Sequence, residues 1–357
     1  MAKLKVGICG AGAISELHAL GYERDERAEI VAVCDIDEDA AVRRSLDWGA
    51  RVYFNDYDSL VADPRVDAIE LLTPHYLHAE QAIKALEAGK HVSMERPIAL
   101  TIEDAGRVLA AAEKAGKIVQ VYEPCLYYKP LLDARNLIDA GEIGTPTGLR
   151  ISAVIGKSES GMWDFESLPA SASWRFDPKK VGGSPMLYDV GYQAFCIALF
   201  LIGSVEKVEV WRSETAVGPH KLDAPTVAMW KHFQQECFGV LDLTYAPERK
   251  MRSTYFPLEL HITVTGTRGD VQVTRSSDAT SIDPPVVLRR NNRRVTYGQK
   301  ATTFEDSFVR ATQNFIGACL GDEEPLLRGQ EAKQLLVLTL AYYESARRGR
   351  PITLHHG

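Results

Sequence analysis

The stretch from Leu4 to Asp35 constrains the fold more than any other part of the chain. An apolar run, Leu4 to Cys9, reads as a buried strand; Gly10 and Gly12 follow at once, and Ile14, Leu17, His18 and Tyr22 then recur at helical spacing. A second apolar run, Ile30 to Cys34, ends in Asp35. Gly10 lets the strand turn sharply into the helix, and Gly12 lets backbone approach a ligand with no side chain between them. The helix start, at Ala13 and Ile14, offers unpaired N–H groups and the positive end of the dipole, which suits a pyrophosphate. Asp35 stands about 20 residues past Gly12, where the acidic residue of a dinucleotide-binding βαβ unit meets the adenosine ribose diol. Its carboxylate repels a 2′-phosphate, so NAD is expected over NADP. Arg43 and Arg44 on the next helix would soften that preference if they reached the ribose, and are otherwise solvated helix charges. Ser15 holds the third glycine position and implies slightly looser packing of helix on strand.

From Lys3 to Tyr122 strand and helix patterns alternate, with strands over 4–9, 30–34, 68–72, 91–94 and 118–122. Helical patterns follow Gly12 and Asp37 and cover 75–88 and 102–115. Such alternation marks a parallel sheet with crossover helices. Gly49, Gly89 and Gly116 each fall where a left-handed C-cap would end a helix. After Tyr122 the pattern changes to a helix over 130–140 and then strands over 148–155, 205–212, 226–232, 237–245, 259–265 and 270–274. Several of these alternate apolar and polar residues, as an antiparallel sheet with one covered face does. The uncovered face is available to a second copy of the chain. Helices over 304–319 and 331–348 close the chain, and the Arg289 to Arg294 charge run reads as a hairpin tip. The expected architecture is α/β plus α+β: residues 1–122 form a Rossmann domain with a parallel sheet that binds NAD. Residues 123–357 form an α/β domain with an open, mostly antiparallel sheet for substrate binding and oligomerisation.

With 357 residues, 45% hydrophobic and 25% charged, the chain buries a sizeable core. Its formal net charge of −7, without Lys and Arg clustered among aromatics, gives no nucleic-acid footprint. There is no signal-peptide pattern and no apolar stretch near membrane-spanning length, so a cytoplasmic protein without membrane partners is expected. Six isolated cysteines without Cys-x-x-Cys spacing fit a reducing compartment, and His75 with His78 lacks a third ligand, so no metal is expected.

Three N-terminal segments, Leu71-Leu72-Thr73-Pro74-His75 with His78, Ala88-Gly89-Lys90-His91-Val92 and Met94-Glu95-Arg96-Pro97, resemble signatures of a known family. It is the glucose-fructose oxidoreductase, inositol dehydrogenase and rhizopine-catabolism (Gfo/Idh/MocA) family. Its second domain is matched by Gly141-Glu142-Ile143-Gly144, Trp174-Arg175, Gly182-Gly183 and Asp189-Val190-Gly191, with Pro325 and Ser345 to Gly349 near the end. The resemblance spans essentially the whole chain. It implies hydride transfer between a nicotinamide and a sugar or cyclitol carbon, with cofactor contacts from Thr73, Pro74, His75, His78, Glu95 and Arg96. Trp174 and Arg175 are either a cofactor lid, the favoured reading, or a core anchor with a salt bridge.

Two positions depart from the family pattern. The lysine of its Glu-Lys-Pro segment is Arg96 here, and the histidine of its Asp-x-Gly-x-His segment is Gln193. A guanidinium polarises an oxygen but stays protonated, and a glutamine does not titrate. Asp189 is retained and is either the base, one helical turn from Gln193, or the N-cap of its helix. Tyr192, Tyr122, Tyr127 and Tyr128 are further hydroxyls able to carry a proton, with Lys180 a more remote candidate. Pro97 holds Arg96 extended, and a cis Arg96-Pro97 bond would aim that side chain into the cleft. The expected function is an NAD-dependent oxidoreductase acting on a sugar, cyclitol or sugar derivative, as a homodimer or homotetramer. Arg96 and Gln193 would orient substrate, and Arg96 hints at a uronate or keto-sugar. The alternatives are lyase or glycoside cleavage through transient oxidation by a held NAD, and an inactive NAD(H)-binding sensor.

Overall fold

The apolar runs of the N-terminal half become strands buried on both faces, as a parallel sheet between helix layers demands. The computed structural model describes residues 3–159, 170–253, 256–276, 283–297 and 303–354. In it β1 (Leu4–Cys9), β2 (Ala28–Cys34), β3 (Val52–Phe54), β4 (Ala68–Leu71), β5 (His91–Glu95) and β6 (Val119–Tyr122) form an all-parallel sheet. Their order is β3-β2-β1-β4-β5-β6. The connections carry α1 (Ser15–Glu23), α2 (Glu38–Asp47), α3 (Tyr57–Ala62), α4 (His78–Glu87) and α5 (Ile102–Ala115). Strand order reverses between β1 and β4, and the crevice beyond their carboxyl ends is where this architecture takes a ligand. Gly116 ends α5 in the left-handed conformation at φ 62°, and Gly49 and Gly89 adopt φ of 65° and 77°, as their positions after helical runs imply. β3 and α3 escape the sequence reading because an edge strand of 3 residues is too short to show a period.

The chain divides into two compact units, a first comprising residues 1–127 and 303–336 and a second comprising 128–302 and 337–357. Helix α9 (Phe304–Leu320), opened by a capping box of Thr303 and Asp306, lies on α1 within the first unit. A Cβ on Gly21 would sit 2.2 Å from that of Thr312, so only glycine allows the approach. Phe315 and Ile316 join Leu4, Val6, Ile8 and Tyr22 in one buried cluster.

The second unit starts with α6 (Lys129–Asp139) and is built on β7 (Pro146–Ser158), β8 (Val205–Arg212), β11 (Thr226–His232), β12 (Phe238–Met251), β13 (Leu258–Gly266), β14 (Gly269–Ser276), β15 (Val286–Arg290), β16 (Arg293–Tyr297) and β17 (Ile352–Thr353). Their order is β16-β15-β14-β13-β7-β12-β11-β8-β17; β7 and β12 run parallel and the other described pairs antiparallel. β9 (Thr215–Val217) and β10 (His220–Leu222) make a separate small hairpin. Helices α7 (Pro178–Val181) and α8 (Tyr192–Leu201) lie between β7 and β8 in sequence, and α10 (Gly329–Arg348) precedes β17. Along β11 the residues alternate: Thr226, Ala228 and Trp230 are buried, whereas Val227 and Met229 are exposed. The buried side packs on α8, whose Phe195 ring meets Trp230 edge-on at 5.6 Å. The Arg289 to Arg294 run is the expected hairpin tip, turning through Asn291 and Asn292 at φ 50° and 58°. Among the described residues no helix is long and apolar enough to cross a membrane.

Candidate active site

The glycine turn holds the two glycines for different reasons. Gly10 has φ 105°, and a Cβ there would lie 2.7 Å from the Leu72 carbonyl oxygen, so the fold itself requires glycine. At Gly12 an added Cβ would meet nothing within 4 Å. The protein's own packing leaves that space open in front of the N-terminus of α1, which has no side-chain cap at Ile14. Ala13 is exposed and Ile14 half-buried at this opening. Asp35, half-buried at the end of β2, accepts the Ala11 N–H at 2.6 Å and the Asp37 N–H at 2.9 Å. Two backbone donors pin its carboxylate, and each oxygen keeps a lone pair for a ribose hydroxyl. These residues fit an adenine dinucleotide. Ser15 does not loosen the packing: it is fully buried, and its hydroxyl donates to the Gly12 carbonyl at 2.6 Å. Arg44 is engaged by Glu16 and by Asp47, the latter at 3.3 Å.

The segments after β4 and β5 carry the next residues. Thr73 donates to Gln81 at 2.5 Å, and the buried His75 ring lies 5.7 Å from that of His78. His78, expected against the cofactor, is fully buried with Nδ1 2.8 Å from the Pro97 carbonyl and Nε2 2.8 Å from that of Thr73. Its ring nitrogens face protein carbonyls, so it ties the two segments together; burial holds its pKa down despite them. The Arg96-Pro97 bond is cis, as the sequence reading allowed. Arg96 is 18% exposed, with Nη1 3.5 Å from Glu95 Oε2 and Nε 3.7 Å from Glu123 Oε2. Among the described residues no group of His, Cys, Asp and Glu forms a metal site.

Behind Arg96 lies a buried array that sequence reasoning missed. His18 Nε2 is 2.9 Å from Glu95 Oε1 and its Nδ1 is 2.9 Å from Glu70 Oε1. Glu70 also accepts from Tyr22 at 2.5 Å and Ser93 at 3.1 Å. The signal was present: Glu70 is the lone charge in the otherwise apolar run Ala68 to Leu72, and a buried carboxylate demands a partner. Burial pulls the His18 pKa down, but Glu70 and Glu95 more than offset it and raise it to about 9. Glu95 moves the other way: burial pushes its carboxyl up, and His18 and Arg96 outweigh that to leave it below the usual range.

A raised histidine pKa stabilises the fold fully below the unfolded value of 6.5 and loses that contribution as pH rises through about 9. The shift corresponds to about 3 kcal/mol. The thermal midpoint is therefore expected to fall by several degrees between pH 6.5 and 9.5 in wild type. His18→Gln, already without this contribution, is expected to show a flatter dependence by scanning calorimetry.

Three of the tyrosines considered as proton carriers are committed to protein partners. Tyr122 donates to the Phe308 carbonyl at 2.6 Å, Tyr127 to Asn314 at 2.7 Å, and Tyr128 lies 3.5 Å from the Thr274 carbonyl. Burial pushes the hydroxyls of Tyr122 and Tyr128 up, which disfavours proton release. Tyr192 is fully buried, and Lys180 is exposed.

In the second unit, Asp189 sits inside a π-helical turn, Leu187–Gly191, that runs straight into α8. It is therefore not an N-cap, and π turns of this kind recur at functional sites. Arg175 Nη1 is 3.5 Å from Asp189 Oδ1, and the same guanidinium lies 4.8 Å over the Trp174 ring. The salt bridge foreseen as one option for Trp174 and Arg175 thus ends on a candidate catalytic carboxylate. Gln193 is 4% exposed, and its Oε1 accepts from Arg275 Nη1 at 3.2 Å. Arg275, on β14 and itself buried, was not anticipated.

Residues 4–123 match the GFO/IDH/MocA oxidoreductase family with its NAD-binding Rossmann fold, and residues 131–272 match the C-terminal domain of that family. The chain belongs to the GFO/IDH/MocA family. Myo-inositol 2-dehydrogenase from Thermotoga maritima is 23% identical over 98% of this chain and 98% of its own. A 1-carboxy-3-chloro-3,4-dihydroxycyclohexa-1,5-diene dehydrogenase from Comamonas testosteroni is 36% identical over 40% of this chain and 36% of its own length. Among solved structures, the WlbA dehydrogenase from Bordetella pertussis, in complex with NADH and UDP-GlcNAcA, superposes with a TM-score of 0.79 at 26% identity. That likeness covers 99% of this chain and 100% of the other. In this GFO/IDH/MocA member the glycine turn, Asp35 and Glu95-Arg96 lie in the first unit, and Asp189, Arg175 and the Gln193–Arg275 pair lie in the second.

Proposed function

We propose that this protein is an NAD-dependent dehydrogenase or reductase acting on the CH–OH group of a sugar, cyclitol or sugar derivative. The observation that carries the reading is the open space at Gly12 beside the Asp35 carboxylate, on a fold whose relatives are named as inositol and other dehydrogenases. When bound, NAD would exchange hydride at its nicotinamide. In this reading Gly10, Gly12, Ala13, Ile14 and Asp35 hold the dinucleotide, Ile36, 94% exposed, packs on the adenine, and the segments at Thr73–His75 and Glu95-Arg96 border the nicotinamide ribose. Arg96 donates hydrogen bonds to a substrate oxygen, favouring a uronate or keto-sugar. Gln193 orients a second oxygen, and Asp189 takes or returns the hydroxyl proton, since an ionised carboxylate accepts where Arg96 and Gln193 do not. Trp174 and Arg175 border the cofactor beside Asp189. The boundary between NAD-binding and substrate-binding domains is placed near residue 122.

The test is a panel of polyols, aldoses, uronates and cyclitols with NAD+ followed at 340 nm. NADH formation with at least one member supports the reading, and NADH binding without turnover of any member refutes it. Asp35 gives a companion expectation: NADPH binds at least tenfold more weakly than NADH in fluorescence titrations, through repulsion of the 2′-phosphate; equal affinities would contradict it.

The reading includes a cytoplasmic homodimer or homotetramer. The outward side of the second unit's sheet exposes Trp211, Val227, Met229 and Phe238, with Trp211 opposite Val227 across β8 and β11. Such a patch suits a second copy of the same face. Trp211→Asp is expected to shift the sedimentation coefficient toward the monomer; an unchanged value would remove this face from the interface.

A further inference from the structure

Glu70, His18, Glu95, Arg96 and Glu123 alternate in charge through the first unit. Glu95 is the shared member: Oε1 lies 2.9 Å from His18 Nε2, and Oε2 lies 3.5 Å from Arg96 Nη1. The sheet places them. Glu70 is opposite Ser93 in the β4–β5 register, and Glu95, two residues further along β5, projects from the same face beneath α1. His18 and Tyr22 lie one turn apart on the buried side of α1, and both reach Glu70. The Tyr122 ring, opposite Glu95 in the β5–β6 register, covers the imidazole at a centroid distance of 3.9 Å, and Phe308 of α9 meets the edges of this pair, 5.5 Å from the His18 ring and 5.5 Å from that of Tyr122. Thr312 lies 3.5 Å from the His18 carbonyl oxygen. An imidazole with a carboxylate oxygen at each nitrogen satisfies both only as the doubly protonated cation.

We propose that His18 is a positioning residue: as an imidazolium it holds Glu95 in the rotamer that presents Oε2 to Arg96, and so sets where the guanidinium meets substrate. The groups facing it are Glu70, Glu95, Tyr22, Ser93, Tyr122 and Thr312, with Arg96 and Glu123 one step beyond. A neutral ring has a single N–H to share between Glu70 and Glu95, so only the cation tethers both carboxylates at once. The inference rests on the dehydrogenase reading for what Arg96 does, and on geometry alone for the tether.

The experiment compares wild type, His18→Gln and Glu70→Gln as full-length protein, with NAD+ and the fastest-oxidised polyol of the panel, from pH 6 to 10. His18→Gln keeps a donor within reach of Glu95 but cannot carry charge. Wild-type kcat is expected to fall on the alkaline side with a midpoint near 9, with KM for NAD+ little changed. His18→Gln is expected to lower kcat at pH 7.5 by about tenfold and to abolish that limb. Glu70→Gln, which keeps His18 but removes one carboxylate, is expected to move the limb down by about 1–2 pH units. Nitrogen-15 spectra of labelled histidine should show both His18 ring nitrogens protonated at pH 7.5. Retention of full kcat and the same alkaline limb in His18→Gln overturns the proposal, as does a neutral His18 ring at that pH. If His18→Gln does not fold, an unmoved limb in Glu70→Gln overturns it. Wild type inert on the whole panel overturns both this inference and the functional reading, whereas active wild type with indifferent variants overturns the inference alone.

Discussion

Gly12→Val is expected to leave the thermal midpoint within about 1 °C of wild type while weakening NADH binding by at least about a hundredfold. The asymmetry follows from the space around the two glycines. A Cβ at Gly12 meets no protein atom within 4 Å, and its φ lies outside the left-handed range, so the folded chain accepts a branched side chain there. The volume that valine fills is the volume a pyrophosphate needs in front of α1, and overlap worth about 3 kcal/mol already costs about a hundredfold in affinity. Gly10→Ala is the control with the opposite signature. Its φ of 105° and a contact of 2.7 Å to the Leu72 carbonyl oxygen strain the backbone itself, so stability falls by about 2 kcal/mol or more. Calorimetry and fluorescence titration of both variants separate the two effects. A Gly12→Val protein that binds NADH as tightly as wild type would mean that the dinucleotide does not cross this turn.

Arg96→Ala carries the second large effect. The guanidinium stands between Glu95 and Glu123, the latter fully buried, so alanine removes the only cation that touches both carboxylates among the described side chains. With Arg96 as the proposed donor to the substrate oxygen, losing that charge-assisted hydrogen bond costs about 2.7–4 kcal/mol in the transition state, or roughly 10²–10³ in kcat/KM. The unpaired Glu123 adds a stability loss of a few kcal/mol. Arg96→Lys restores charge but not the planar fork, and is expected to recover turnover to within about tenfold of wild type. Alanine activity within twofold of wild type would place substrate recognition elsewhere, and Arg275 with Gln193 would be the next pair to substitute.

What could be read from sequence was local. Gly10, Gly12 and Asp35 declare a dinucleotide turn because strand, turn, helix and acid follow one another within a single βαβ unit. The hairpin at Asn291-Asn292 was legible for the same reason. The His18–Glu70–Glu95 array was not, because it joins a helix face to two strands 52 and 77 positions away, and periodicity reports only that His18 faces inward. Gln193 was located by spacing from Asp189, but its partner Arg275 lies 82 positions off, on β14. Tyr122, Tyr127 and Tyr128 show the same limit: their pattern places them near the end of β6, and only the fold reveals that their hydroxyls are turned to Phe308, Asn314 and Thr274. The return of residues 303–336 to the first unit brings Thr312 close against Gly21, an approach that no local pattern encodes.

On the proposed function, this chain moves a hydride between a carbinol carbon and NAD. The most direct test supplies the best substrate of the panel with deuterium on that carbon and follows the label into the cofactor by mass spectrometry. The expected result is one deuterium on the nicotinamide of each NADH formed, with turnover slowed by the heavier isotope where hydride transfer limits it. Product formation with no label in the nicotinamide would contradict the account.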